Sequence, residues 1–120
     1  MHDLPLSNLL LIPRVIHIEY GEQFIIIDLI INKNLRCFKG HFDDAPVVAG
    51  VVQLDWAILF AQKYLVLQGK THKISALKFQ KLMQPQMEIQ LVLTKLSENK
   101  FSFKYSANDI VFSSAKVEMC

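Results

Sequence analysis

Between Pro46 and Gly69 runs VVAGVVQLDWAILFAQKYLVLQ, with no proline and only two charged residues, Asp55 and Lys63. The run is too long for one strand and is rich in Leu, Ala and Trp. It reads as one helix over 47–68, with Pro46 near its first turn and Gly69 as its stop. Apolar side chains cover nearly its whole circumference, and a helix that is apolar all round is a buried one. The rest of the fold must therefore wrap around it, and each polar residue on it requires a reason.

The flanking segments have the period of strands. RVIHIEY and QFIIIDLII frame a turn at Gly21-Glu22, and the second is apolar on both faces, as a strand covered on both sides would be. After Gly69 come HKISALKF, then MEIQLVLTKL, with Met87, Ile89, Leu91 and Leu93 on one face and Glu88, Gln90 and Thr94 on the other. A turn over Ser97–Lys100 leads to FSFKYSA, and Asn108-Asp109 leads to IVFSSAKVEM. Such short turns join antiparallel neighbours. PLSNLLL, near the start, reads as a short helical lead-in. The expected architecture is α+β: five or six mostly antiparallel strands curled around one central helix. No repeat or linker divides residues 1–120, so one domain is expected.

Composition removes several classes of function. A net charge of +2 without a Lys/Arg cluster gives no footprint for nucleic acid. Lys63, Lys70, Lys73, Lys78 and Lys81 make at most a modest basic surface. The longest apolar stretches fall short of a membrane span, and MHDLPLSNLLLIPR lacks a basic n-region and a small-residue cleavage site. The two cysteines, Cys37 and Cys120, form no disulfide framework, so a reducing, cytoplasmic setting is expected. A domain of 120 residues is stable alone only with tight packing, so an oligomer is expected.

The chemistry concentrates in GHFDDAPVVAGVVQLDWA. A carboxylate inside an apolar helix costs free energy unless it is paired or protonated, and burial raises its pKa. Asp55 can thus serve as a general acid, or it can pair with a basic or backbone group or reach solvent at a helix edge. His41, in a glycine-bearing loop, is either a base competent near neutral pH or a hydrogen-bonded loop histidine. Gly50 falls in the first helical turn, where backbone N–H groups lack intrahelical partners, and its missing side chain leaves that N–H open to a ligand oxygen. Base, oxyanion donor and acid are the parts needed to remove water next to a thioester. With a helix starting at Val47, Asp55 lies about 12 Å along its axis, while His41 is outside it. Either the loop folds back, or a two-fold dimer brings His41 of one chain to Asp55 of the other.

Other readings are narrower. Cys37, four residues before His41, could form a Cys–His nucleophile or be a small buried hydrophobe. His41, Asp43 and Asp44 offer too few oxygens for a hard metal, so no metal site is expected. His2, His17 and His72 lack supporting neighbours, and Ser113-Ser114 lacks a nearby base.

The stretch resembles the signature of 3-hydroxyacyl-[acyl carrier protein] dehydratases, hotdog-fold enzymes: G-H-F, three residues, Pro, two residues, Pro-Gly, then four residues and a Glu or Asp. Gly40, His41, Phe42, Pro46, Gly50 and Asp55 fit that spacing. GVVQLDWA is most similar to the small dehydratases of aryl polyene biosynthesis clusters, and LKFQKLMQP resembles the strand that follows the family's helix. The resemblance covers most of the chain. It implies that His41 removes the α-proton and that Asp55 of the partner subunit protonates the departing hydroxyl. It also implies that the Gly50 N–H binds the thioester oxygen and that the Val47 carbonyl orients the histidine. Phe42, Pro46, Val51 and Trp56 would line an acyl tunnel at the dimer interface. The implied partner is an acidic acyl carrier protein bearing a 3-hydroxyacyl chain, met by a basic patch for which Arg36, Lys63 and Lys70 are candidates. No cofactor is implied. The chain departs from the pattern at Ala49, where the family has proline, and at Leu59, where it places a glutamine that can bond the acid; Gln62 lies nearly on the acid's face two turns on. A hotdog thioesterase and a non-catalytic hotdog subunit remain the competing expectations.

Overall fold

The computed structural model describes residues 11–38 and 46–120. The lead-in PLSNLLL falls almost entirely outside them.

Strands β1 (Arg14–Tyr20) and β2 (Phe24–Ile30) are followed by a 3-10 turn, Arg36–Phe38, and the one α-helix among the described residues, α1 (Gly50–Tyr64). Four strands then run to the end: β3 (Thr71–Phe79), β4 (Glu88–Ser97), β5 (Lys100–Ala107) and β6 (Ile110–Met119). They form one six-stranded sheet in the order β1-β2-β4-β5-β6-β3, with every pair antiparallel. α1 carries the chain from β2 across the sheet to β3 at the opposite edge. This is the hotdog arrangement expected from the sequence.

Side-chain alternation decides which face of the sheet takes the helix. Ile25, Ile27 and Leu29 of β2, Ile89, Leu91 and Leu93 of β4, and Phe101, Phe103 and Tyr105 of β5 are all buried. They meet Trp56, Ala57, Phe60 and Ala61 of α1 in one cluster. The inner rows of β4 and β5 are the ones the period-two pattern marks out. β2 differs from expectation: only its inner row is fully buried, while Phe24, Ile26, Asp28 and Ile30 on the outer row are half-covered.

The helix is shorter than the apolar run. Its N-cap is Ala49, with φ −60° and ψ 148°, so Pro46 precedes the first turn instead of sitting in it. The Val48 N–H is bonded to the Met83 carbonyl at 2.7 Å, which holds the chain extended there. At the other end Leu65 caps onto the Ala61 carbonyl, and Val66 then takes a positive φ of 56°, ending the helix before Gly69. Gly69 has a different task. Its φ is 93°, and a Cβ there would run into the Cys120 carbonyl, where Lys70 and Cys120 exchange backbone hydrogen bonds.

Candidate active site

α1 presents two unlike faces. Gln53, Trp56, Ala57, Phe60 and Ala61 face the sheet and are buried. The opposite stripe is uncovered: Val51 is 70% exposed, Leu59 is 50% exposed, and Asp55 between them is exposed. Residues four apart lie one above another on a helix, so these three form a continuous row. The expectation of a fully buried α1, and with it a buried Asp55, does not hold in the single chain. One sheet covers only one side of a helix, so the apolar character of the other side has a different cause.

Apolar groups continue beyond the helix. Val47 is 38% exposed, Phe79 at the end of β3 is 52% exposed, and Leu77 and Leu82 are also uncovered. β3 is an edge strand with β6 as its sheet neighbour. A Cβ on Gly50 would lie 2.5 Å from Cζ of Phe79. The space freed by the missing side chain is thus filled by an aromatic ring, so Gly50 is required for that packing. Among the described residues nothing accepts from the Gly50 N–H. Asp55 lies five residues on, about 7.5 Å further along the axis.

The other expected site residues are placed as follows. His41 and Phe42 lie outside the described residues. Pro46 is half-buried, and Val47 lies in the extended segment before the helix. Trp56 is core in the single chain: it is 2% exposed, and its indole N–H donates to the Leu11 carbonyl at 3.0 Å. The Gln62 amide donates to the Gly69 carbonyl at 3.3 Å and is engaged at the helix C-terminus, away from Asp55. Burial pushes the Cys37 thiol up, despite a backbone hydrogen bond acting the other way, which is the reverse of what an activated nucleophile needs. Arg36, Lys63 and Lys70 are exposed.

One cluster escaped the sequence reading. Gln53 and Ser113 are buried, and the Ser113 hydroxyl donates to Oε1 of Gln53 at 2.6 Å. Nε2 of Gln53 donates to the Val48 carbonyl at 3.0 Å, and the hydroxyl of buried Tyr105 donates to the Gln53 carbonyl at 2.7 Å. The available signal was an uncharged polar residue two positions before Asp55 in an otherwise apolar helix turn.

Residues 17–116 match the model of the ApeI-like family, described as ApeI dehydratase. The chain belongs to the ApeI-like dehydratase family. Among solved structures, a chain of the dehydratase heterocomplex ApeI:P from Xenorhabdus doucetiae is similar to it, with 30% identity, a TM-score of 0.81, and coverage of 90% of this chain and 97% of that one. An uncharacterized protein from Erwinia carotovora subsp. atroseptica has 27% identity and a TM-score of 0.75, covering 91% of this chain and 96% of that one. Thioesterase superfamily member 2 of Mus musculus has a TM-score of 0.68 at 8% identity, over 95% of this chain and 82% of that one, a likeness of fold alone. No helix among the described residues is long and apolar enough to cross a membrane.

Proposed function

We propose that this ApeI-like chain dehydrates 3-hydroxyacyl thioesters carried on acyl carrier protein to trans-2-enoyl thioesters. The observation that carries the reading is the position of Asp55, a carboxylate set in the uncovered apolar row from Val51 to Leu59 on α1. A carboxylate in such a row is solvated in the single chain and becomes dry when a second hotdog chain covers it. Drying favours the neutral acid, the form able to give up a proton.

The partner is a second copy of this chain, and each of the two sites takes His41 from one protomer and Asp55 from the other. His41 accepts the proton from the α-carbon as negative charge moves onto the thioester oxygen. The Gly50 N–H, at the positive end of α1, donates to that oxygen. The charge returns as the Cα–Cβ double bond forms and the C3–O bond breaks. Asp55 protonates the departing hydroxyl, which leaves as water, and the proton held by His41 restores Asp55 for the next cycle. The Val47 carbonyl orients the imidazole, and Phe42, Pro46 and Val51 contact the acyl chain. Arg36, Lys63 and Lys70 are candidates for meeting the acidic carrier. No cofactor enters this scheme.

A non-identical hotdog partner is the second reading. It is favoured by the heterocomplex in which the similar Xenorhabdus chain occurs. Incubation with a 3-hydroxyacyl carrier thioester tests the activity. Enoyl product without free thiol is expected; free thiol would identify a thioesterase, and neither product from a correctly loaded carrier would refute both.

A further inference from the structure

Gln53 stands where an aliphatic side chain would fill the same space without an amide to satisfy. Burying a primary amide is costly unless its ends are bonded. Here both ends are bonded, and the polarity of the chain of bonds is determined. The Val48 carbonyl can only accept, so Nε2 of Gln53 faces it; Oε1 then faces Ser113, whose hydroxyl donates. Tyr105 adds a third tie through the Gln53 main-chain carbonyl. Two strands, β5 and β6, thus hold one helical residue, and that residue holds the segment before the helix.

The segment so held is the one that carries the backbone groups of the proposed site. Val48 is fixed on both sides: its N–H binds the Met83 carbonyl and its C=O binds Gln53. Val48 is 3% exposed while Val47 is 38% exposed, the alternation of an extended chain. Successive carbonyls in such a chain point to opposite sides, so a Val48 carbonyl turned inward leaves that of Val47 turned outward. The next peptide plane is fixed as well. The Ala49 carbonyl accepts from the Val52 and Gln53 N–H groups at 3.0 and 3.1 Å. In a trans peptide the following N–H points the opposite way, so the Gly50 N–H is directed out of the helix start.

We propose that Gln53 and Ser113, with Tyr105 as a secondary tie, are positioning residues that set the direction of the Val47 carbonyl and the Gly50 N–H in the site. The inference rests on the dehydratase reading above. None of the three touches the reacting atoms. They act by holding the 47–50 turn, where a displacement of about 1 Å is enough to cost roughly 100-fold in rate.

The test uses the full chain with Gln53→Met, which fills similar volume without an amide, with Ser113→Ala, and with the two combined. Amide hydrogen exchange is read at Val48 and Val52 against the β4–β5 amides, and kcat and KM are measured with a carrier-bound 3-hydroxyacyl substrate at a temperature where circular dichroism shows every variant folded. Expected are faster exchange at Val48 and Val52, by about tenfold or more relative to β4–β5, and a fall in kcat of about 10- to 100-fold with KM within about twofold. The double variant is expected to be no worse than Gln53→Met alone, since both remove the same tie. Unchanged exchange at Val48 overturns the inference, and so does raised exchange with unchanged kcat. A wild-type chain without dehydration overturns the dehydratase reading itself, a result seen before any variant is made. A variant that fails to fold is replaced by Tyr105→Phe, for which the same local exchange and a smaller loss of kcat are expected.

Discussion

Leu59 offers a quantitative handle on how Asp55 becomes dry. It lies one turn beyond Asp55 on the uncovered row and is 50% exposed in the single chain. Full burial of a leucine contributes about 1.5–3 kcal/mol, so covering its exposed half contributes about 1 kcal/mol. A two-fold interface uses each residue twice, so Leu59→Ala removes about 2 kcal/mol from self-association. That corresponds to a rise in dimer Kd of about 30-fold. Against a non-identical partner the side chain counts once, and the rise is about fivefold. Leu59→Glu goes further, because it places a second carboxylate next to Asp55 in the covered surface, and no dimer is expected. Sedimentation equilibrium over a concentration series measures the Kd, with circular dichroism as the check that the monomer remains folded. Specific activity in the same series should fall as the dimer dissociates, since each proposed site needs two chains. A Leu59→Glu chain that associates with the wild-type Kd would refute the assignment of this row to the interface. A wild-type chain that remains monomeric while active would refute the split site.

Four further outcomes follow from the same structure. Asp55→Asn and His41→Ala should each abolish dehydration, and mixing the two after confirmed subunit exchange should restore about one competent site per mixed dimer; no recovery would exclude a site shared between chains. Val66→Gly should stabilise the chain by about 0.5–1 kcal/mol, because a β-branched residue at positive φ costs roughly 1–2 kcal/mol while glycine returns part of that as chain entropy; Val66 is 71% exposed, so little packing is lost, and a melting temperature higher by several degrees is the readout. Gly69→Ala should destabilise by more than about 1 kcal/mol in the same assay, since its positive φ and the Cys120 carbonyl both exclude a Cβ. Alkylation of the thiols at pH 8, followed by mass spectrometry, should modify exposed Cys120 well before half-buried Cys37: burial raises the Cys37 pKa, so less of it is thiolate at that pH, and its lag should shrink as the pH is raised.

The parts of this fold that were legible are those set by neighbours in sequence. Alternation along β4 and β5 states which side chains go inward, because a strand's period is two whatever it pairs with. The helix was legible as an element but not in its ends. Its start is set by a bond from Val48 to Met83, thirty-five residues away in the chain, and its stop by the backbone of Val66, whose side chain carries no stop signal. The order of strands was equally hidden, since β3 leaves the helix and pairs with β6, the last strand. At the site, an apolar side chain on α1 states that it avoids water and not what covers it. Trp56 and Phe60 meet the chain's own sheet, while Val51 and Leu59 stay largely uncovered among the described residues, and sequence alone treats all four alike. Gln53 was illegible for a related reason. Its purpose depends on Ser113 and Tyr105, which reach it only once β5 and β6 are in place. The motif that resembles the dehydratases names the groups that meet substrate. The groups that aim them lie on strands with no signature, and pairwise distances in the folded chain are what bring them into view.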